Sequence, residues 1–437
     1  MKKNKLILLG LTALTLAGCG ENGGGGDTGD TESDTLTLQI YVGGYGKKPW
    51  QKALEKFEEL HPEYDIIANL DNNVNKAYED RWMNGNPPDF VFLDGDNLAS
   101  DTWLKEGLLA DLSGWLETAK APGEDTLIKD KVNASYWRKY NDTYANKTIT
   151  YGAPILLSAY GMWYDQTYFT EKKLSMPSNY EELKTFAGKA NSDTATIIYP
   201  GQYSGYLVQG LLVPAFAEYG DTFFDRVMNC RDEDVYTSPE FKEVMNRFNE
   251  FINLNDYVVA DCLSFDHIES QSEWLKHKAA LIPNGLWLRG EMSEQEAIPA
   301  NFDMRYAPSP LTKSEQTIVT SSVVCGIAEQ AKNKKGAKEF LATLYTDEIL
   351  KEFVYASDSP SVADLDLSDD PNVSDVNRYV QSVFNNPAYK HKMNDGSWGG
   401  VDTAINSAVN SLVKKSKTVD AVCDEIKAAA RKEIAER

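Results

Sequence analysis

Residues 35–60 read TLTLQIYVGGYGKKPWQKALEKFEEL. Thr35 to Val42 alternates along its length and is rich in β-formers, which predicts a strand. Gly43-Gly44-Tyr45-Gly46 then supplies a turn. Between Lys48 and Leu60, the residues Trp50, Ala53, Leu54, Phe57 and Leu60 recur at the spacing of one helix face. A second strand is expected at Tyr64–Leu70. Pro87-Pro88 opens a third at Asp89–Leu93, where DFVFL is continuously apolar after its first residue, as in a buried parallel strand. The order β–α–β–β with helical crossovers marks an α/β fold. In such sheets ligands bind beyond the carboxyl ends of the strands, which singles out Asp94-Gly95-Asp96.

The rest of the chain keeps alternating. Tyr151–Tyr164 (YGAPILLSAYGMWY) is a long extended run. A helix is expected at Asn179–Ala190 with Ser178 as its N-cap, then a Gly-Pro-Tyr loop at Tyr199–Tyr206. Helices follow at Gly205–Tyr219, Pro239–Asn255 and Ser270–Lys278, then a strand at Ala279–Pro283 that ends in Asn284-Gly285-Leu286-Trp287. Strands at Met304–Ala307 and Ile318–Ile327 precede helices at Lys334–Tyr345 and Asp347–Val354. An acidic loop spans Ala363–Ser374, and helices near Val376–Phe384, Thr403–Val413 and from Thr418 onward close the chain.

Composition narrows the function. The 437 residues hold 44 Lys plus Arg against 66 Asp plus Glu, a net charge of −22, so a phosphate backbone is repelled and nucleic acid is not an expected partner. Hydrophobic residues at 42% and charged residues at 25% are those of a globular protein. The 9 Trp and 23 Tyr are a surplus that calls for a role outside the core.

Met1–Lys5 is basic and Leu6–Ala17 is apolar but too short to span a bilayer, so residues 1–18 read as a secretory signal peptide. Leu16-Ala17-Gly18-Cys19 resembles the bacterial lipobox, which implies lipidation of Cys19 and a lipid-anchored protein on the outer face of the cell membrane. Residues 19–34 then form a flexible tether without apolar side chains beyond Cys19. Cys230, Cys262, Cys325 and Cys423 have no metal or redox spacing. They read as buried free thiols, with a Cys230–Cys262 bridge as the alternative.

No G-x-S-x-G, H-E-x-x-H or Walker motif occurs, and His61, His267, His277 and His391 are scattered. Asp364-x-Asp366-x-Ser368 lacks the glycine and terminal Glu of a calcium loop. Neither a catalytic residue, a metal nor a cofactor is expected.

Taken in order, several segments resemble the family 1 extracellular solute-binding proteins of bacterial ABC importers, in the sugar-binding branch that includes the maltose-binding proteins. They are YVGGYGKKPWQKALEKFEELHPEYDI, PPDFVFLDGDN, LLADLSGWL, YGAPILLSAYGMWYDQTYF, KLSMPSNYEELKTFAGKA, KHKAALIPNGLW, MRYAPSP and GIAEQAKNKKGAKEFLATLYTDE. The resemblance implies two discontinuous α/β lobes joined by hinge strands, the type II or Venus-flytrap arrangement of periplasmic binding proteins. Lobe 1 would comprise residues 35–159 plus 326–361, and lobe 2 residues 160–324 plus 362–437. It further implies a non-enzymatic monomer that closes on an oligosaccharide and delivers it to ABC permease subunits. Ala363–Ser374 and Leu286–Met292 depart from the maltose-binding subset.

A sugar offers C–H ring faces to aromatic rings and hydroxyls to carboxylates, amides and guanidinium groups. The resemblance assigns Trp287 to a sugar ring, against a core tryptophan as the alternative. Arg289 and Glu291 beside it are candidates for hydroxyl contacts. Asp94 and Asp96 match the family's strand-end acid, or cap the next helix. Tyr45 lies in the first strand–helix turn, Tyr203 and Tyr206 in the Gly-rich loop, and Trp398 between glycines at 395–400. The competing reading is a surface-anchored glycoside hydrolase, which needs two carboxylates flanking a bond. No spacing among the acids points to such a pair.

Overall fold

The computed structural model describes residues 7–8, 34–95, 97–142, 146–190, 194–253, 258–259, 261–295, 298–394, 396 and 398–436. Cys19, almost all of the expected signal peptide, the tether before residue 34, and Asp96 lie outside them. The chain divides into two compact units. Unit 1 holds residues 1–156, 322–356 and 361–365, and unit 2 holds residues 157–321, 357–360 and 366–437.

In unit 1 the strand Thr35–Tyr41 runs parallel to Asp65–Asp71, with Thr35 opposite Asp65 and Tyr41 opposite Asp71, and parallel to Phe90–Phe92 on its other side. The C-terminal part of Thr317–Ile327 adds antiparallel to Phe90–Phe92. The helix Lys48–Leu60 starts with Pro49 in its first turn, where the missing N–H has no partner to lose. Its buried face is Trp50, Ala53, Leu54 and Phe57. Trp50 packs on Phe92 and Phe353 with ring centroids 4.8 and 4.9 Å away. Each such ring taken fully from water contributes on the order of 2–3 kcal/mol.

A helix at Val74–Met83 separates the second and third strands, so the order is β–α–β–α–β and not β–α–β–β. Only Val74, Tyr78 and Trp82, four residues apart, carry its apolar face, and a polar residue, Asn75, is buried beside them. That thin stripe hides the helix from a reading based on apolar periodicity.

Unit 2 takes up the second half of the strand Lys147–Asp165. It pairs antiparallel with Ala279–Gly285, Tyr160 facing Gly285, and with Met304–Ala307. Ala195–Ile197 lies parallel to Ala279–Gly285, whose residues are all buried. Trp163, Tyr199, Tyr236, Trp274 and Tyr306 fill the core of this unit.

Three expectations for this unit change. The helix expected at Gly205–Tyr219 is interrupted: a π-turn spans Val208–Leu212 between short α-helical pieces. Pro214 lacks an amide hydrogen, so a regular i to i−4 bond to Gly210 is impossible there. The helix expected from Ser270 starts at His267, because Asp266 and Glu269 form a capping box. Asn179, and not Ser178, caps the helix Tyr180–Ala190: its Oδ1 accepts the Glu182 N–H at 3.0 Å, while Ser178 donates to the Glu182 carboxylate.

Cys230, Cys262, Cys325 and Cys423 are free and buried. Burial pushes the Cys262 and Cys423 thiols up to about 12 and that of Cys325 well above its ordinary value. Among the described residues no helix is long and apolar enough to cross a membrane.

Candidate functional site

Three half-buried aromatic rings meet in unit 2 where the strand Ala279–Gly285 ends. Tyr160 stands edge-on to Trp287, with centroids 5.0 Å apart at 89°, and edge-on to Tyr206 at 5.9 Å and 79°. The backbone creates this group. Pairing of Tyr160 with Gly285 brings the two strands into register, and Gly285 leaves room for the indole of Trp287 to fold across it. Perpendicular packing satisfies the ring quadrupoles. Tyr206 and Trp287 were expected from the sequence; Tyr160 was not, since it sits inside a long apolar run with no local signal of partial exposure.

Beside Tyr160 is a cavity of about 20 Å³ lined by Ser158, Gln209, Ser321 and Asn394 among others. That volume suits one water molecule. The buried Ser158 hydroxyl has no partner among the described residues. Gln209 reaches this cavity from the π-turn Val208–Leu212. Such turns displace a side chain relative to a regular helix and recur at binding sites.

A second polar group lies on the same unit. Tyr203 is 41% exposed and packs edge-on against His267, centroids 6.0 Å apart. His267 Nε2 is 4.0 Å from Glu291, whose carboxylate also accepts a bond from Gln271 Nε2 at 2.5 Å. Arg289 has a different setting. Its Nε and Nη2 donate to the buried carboxylate of Asp358 at 2.9 to 3.1 Å, and Ser374 Oγ donates to the same group. Burial pushes the Asp358 carboxyl up, and Arg289 and Ser374 draw it back. Trp398 is 5% exposed and belongs to the unit 2 core.

In unit 1, Tyr45 is 5% exposed and sits edge-on to Phe92 at 6.4 Å. Asp94 is half-buried just past the strand Phe90–Phe92. Its backbone carbonyl accepts Asn75 Nδ2 at 2.9 Å, Asn75 Oδ1 accepts Gln39 Nε2 at 2.8 Å, and Gln39 Oε1 accepts Trp82 Nε1 at 2.9 Å. Trp82 in turn stacks on Trp103, centroids 3.8 Å apart. This buried chain holds the strand-end loop from behind. The ring of Tyr41 fills the space beside Gly43 and Gly95, where a Cβ would fall 2.5 and 2.3 Å from it, and Gly95 has φ +91°. A larger residue at Gly95 would be strained, and one at Gly43 would displace the Tyr41 ring. Sequence reading left out Tyr41, which looks like an ordinary strand position.

The chemistry on offer is recognition: ring faces and edges in unit 2, and carboxylate, amide and hydroxyl groups in both units. Among the described residues, the closest His–carboxylate pair in unit 2, His277 Nε2 to Asp165 Oδ2 at 2.9 Å, is packed between Tyr168 and Phe302, with Asp165 also accepting the Thr167 and Asp303 amides. That pair is part of the packing.

Comparison with known proteins identifies relatives of the whole chain. The diacetylchitobiose binding protein NgcE of Streptomyces coelicolor is 21% identical over 359 residues, covering 78% of this chain and 72% of the relative. The multiple sugar-binding protein of Streptococcus mutans is 20% identical over 425 residues, covering 94% and 93%. Among solved structures, RafE in complex with raffinose superimposes with a TM-score of 0.68 at 17% identity, over 90% of this chain and 98% of that one. The fold is accordingly the α/β fold of substrate-binding proteins. The family model of bacterial extracellular solute-binding proteins matches residues 43–351, well over half of the sequence, and the chain belongs to that family.

Proposed function

We propose that this protein is the substrate-capturing component of an ABC sugar importer, anchored by a lipid on Cys19 at the outer face of the membrane. It binds an oligosaccharide by hinge closure and delivers it to the permease. The single observation that carries the sugar reading is the group Tyr160, Tyr206 and Trp287, three partly exposed rings held edge to face at the end of a strand. Monosaccharide rings stack their C–H faces on such surfaces, and neighbouring amides and carboxylates pair with the hydroxyls. Relatives named for diacetylchitobiose and multiple sugars, and structural neighbours solved with raffinose or described as binding chitin oligosaccharide, support an oligosaccharide over a single sugar. Closure requires that the ligand bind the closed state more tightly than the open one.

Titration calorimetry and tryptophan fluorescence with raffinose, chitooligosaccharides and maltooligosaccharides test the reading. Saturable binding to at least one, weakened in Trp287→Ala, is expected. Silence across the panel would overturn the sugar assignment. Radiolabelled palmitate incorporation that disappears in Cys19→Ser tests the anchor separately.

A further inference from the structure

In unit 1 a histidine and two glutamates converge. His61 caps the C-terminus of the helix Lys48–Leu60, Glu63 follows in the turn, and Glu339 comes from the helix Lys334–Leu344. One donor atom from each lies within 4.8 Å of the others. His61 Nδ1 is 3.3 Å from Glu63 Oε1 and 3.8 Å from Glu339 Oε2.

These distances have a simple reading. Two ligands about 2.0–2.1 Å from a tetrahedral zinc ion lie roughly 3.3–3.4 Å apart. The His61–Glu63 pair already has that spacing, and a half-buried glutamate on a helix can close the remaining gap by rotation. The imidazole is held in place by ring contacts to Phe57 and Tyr64, with centroids 4.8 and 6.0 Å away. Tyr64 OH donates to Glu339 Oε2 at 2.6 Å, the kind of outer hydrogen bond that orients a metal-binding carboxylate. The end of the helix carries partial negative charge, and the chain as a whole is at −22, both of which favour a cation. Lys335 Nζ, 4.0 Å from the other oxygen of Glu339, is a competing cation.

We propose that His61, Glu63 and Glu339 form a surface binding site for a divalent first-row metal ion, zinc above all, with a fourth position left to water. The donor set selects the metal: imidazole nitrogen with carboxylates suits zinc, whereas calcium and magnesium prefer oxygen alone. The site clamps the helix end to the helix Lys334–Leu344 within one unit. It lies at the amino ends of the parallel strands, since Tyr64 precedes Asp65, which pairs with Thr35. Asp94 and Tyr41 lie at the opposite ends, roughly 20 Å away along seven-residue strands. The metal site is therefore separate from the strand-end loop of unit 1 that holds Asp94.

The test uses the purified full-length chain, tag removed and stripped with a chelator. Zinc chloride is titrated by calorimetry into wild type, His61→Ala, Glu63→Gln and His391→Ala, with circular dichroism to check folding. One equivalent of zinc is expected, weakened about ten-fold or more in the first two variants and unchanged in His391→Ala. X-ray absorption of the loaded protein should show nitrogen and oxygen neighbours at about 2.0–2.1 Å. No binding up to millimolar zinc overturns the site. So does affinity that survives both His61→Ala and Glu63→Gln, or that falls equally in His391→Ala, which would mark adventitious binding only. Should His61→Ala fail to fold, Glu63→Gln decides, because that side chain is exposed and its loss leaves the packing intact.

Discussion

The indole of Trp287 lies across Gly285: a Cβ built on that glycine would sit 2.2 Å from the ring. Since Gly285 faces Tyr160 across the strand pair, one missing side chain sets the position of two aromatic rings. Gly285→Ala must push the indole aside. Oligosaccharide affinity should fall by about ten-fold or more, with a stability loss of about 1–3 kcal/mol from overpacking. Trp287→Ala should cost about 2 kcal/mol of binding, roughly thirty-fold, with little loss of stability. Calorimetry with the best-binding sugar and a urea melt measure the two effects separately.

Arg289 and Asp358 make a different prediction. Arg289→Met leaves the Asp358 carboxylate buried without its guanidinium, and should destabilise the fold by about 3–5 kcal/mol. Adding Asp358→Asn should restore much of that loss, because the uncompensated charge is gone. Urea unfolding of the single and double variants checks this. If Arg289 serves the ligand and not the fold, the single variant would instead lose sugar affinity at unchanged stability.

Asp111 governs part of the acid response of unit 1. Burial alone would raise its carboxyl, but Lys147, the Ser113 side chain and amide and the Thr150 amide together hold it well below the usual carboxylate range. A depressed folded value means the stabilisation is complete above the unfolded value near 4 and is lost as pH falls below it. Asp111→Asn should therefore be less stable than wild type by about 1–2 kcal/mol at pH 7, the partial exposure of the group keeping the figure modest. The gap should narrow as pH drops below about 4. Thermal melts from neutral to acid pH follow it.

The four buried cysteines should be silent to thiol reagents. With thiols near 12, Cys262 and Cys423 have about one part in ten thousand thiolate at pH 8. Ellman's reagent should label none of Cys230, Cys262, Cys325 and Cys423 in the native protein and all four in guanidinium. Rapid labelling of any one under native conditions would mean local opening around it.

Local pattern was enough for much of the architecture. The strand from Thr35 and the helix Lys48–Leu60 follow from alternation and from helical spacing, because burial of one face imposes those periods on the sequence itself. The order of such segments was also enough to suggest the family. Pattern reading failed where the structural signal was not apolar: the helix Val74–Met83 buries Asn75, and the start of the helix at His267 depends on a capping carboxylate.

Which residues share a surface was settled only by the tertiary structure. Trp398, a ligand candidate for its place between glycines, is packed in the core of unit 2. Tyr160 looked like one more apolar strand residue, yet strand register places it against Trp287 and Tyr206. Arg289 and Asp358, 69 positions apart, meet because the chain returns to unit 2 for residues 357–360. Sequence determines what each segment can bury along its own length. Contacts between distant segments depend on pairing register and chain return, and neither leaves a mark on any single stretch of residues.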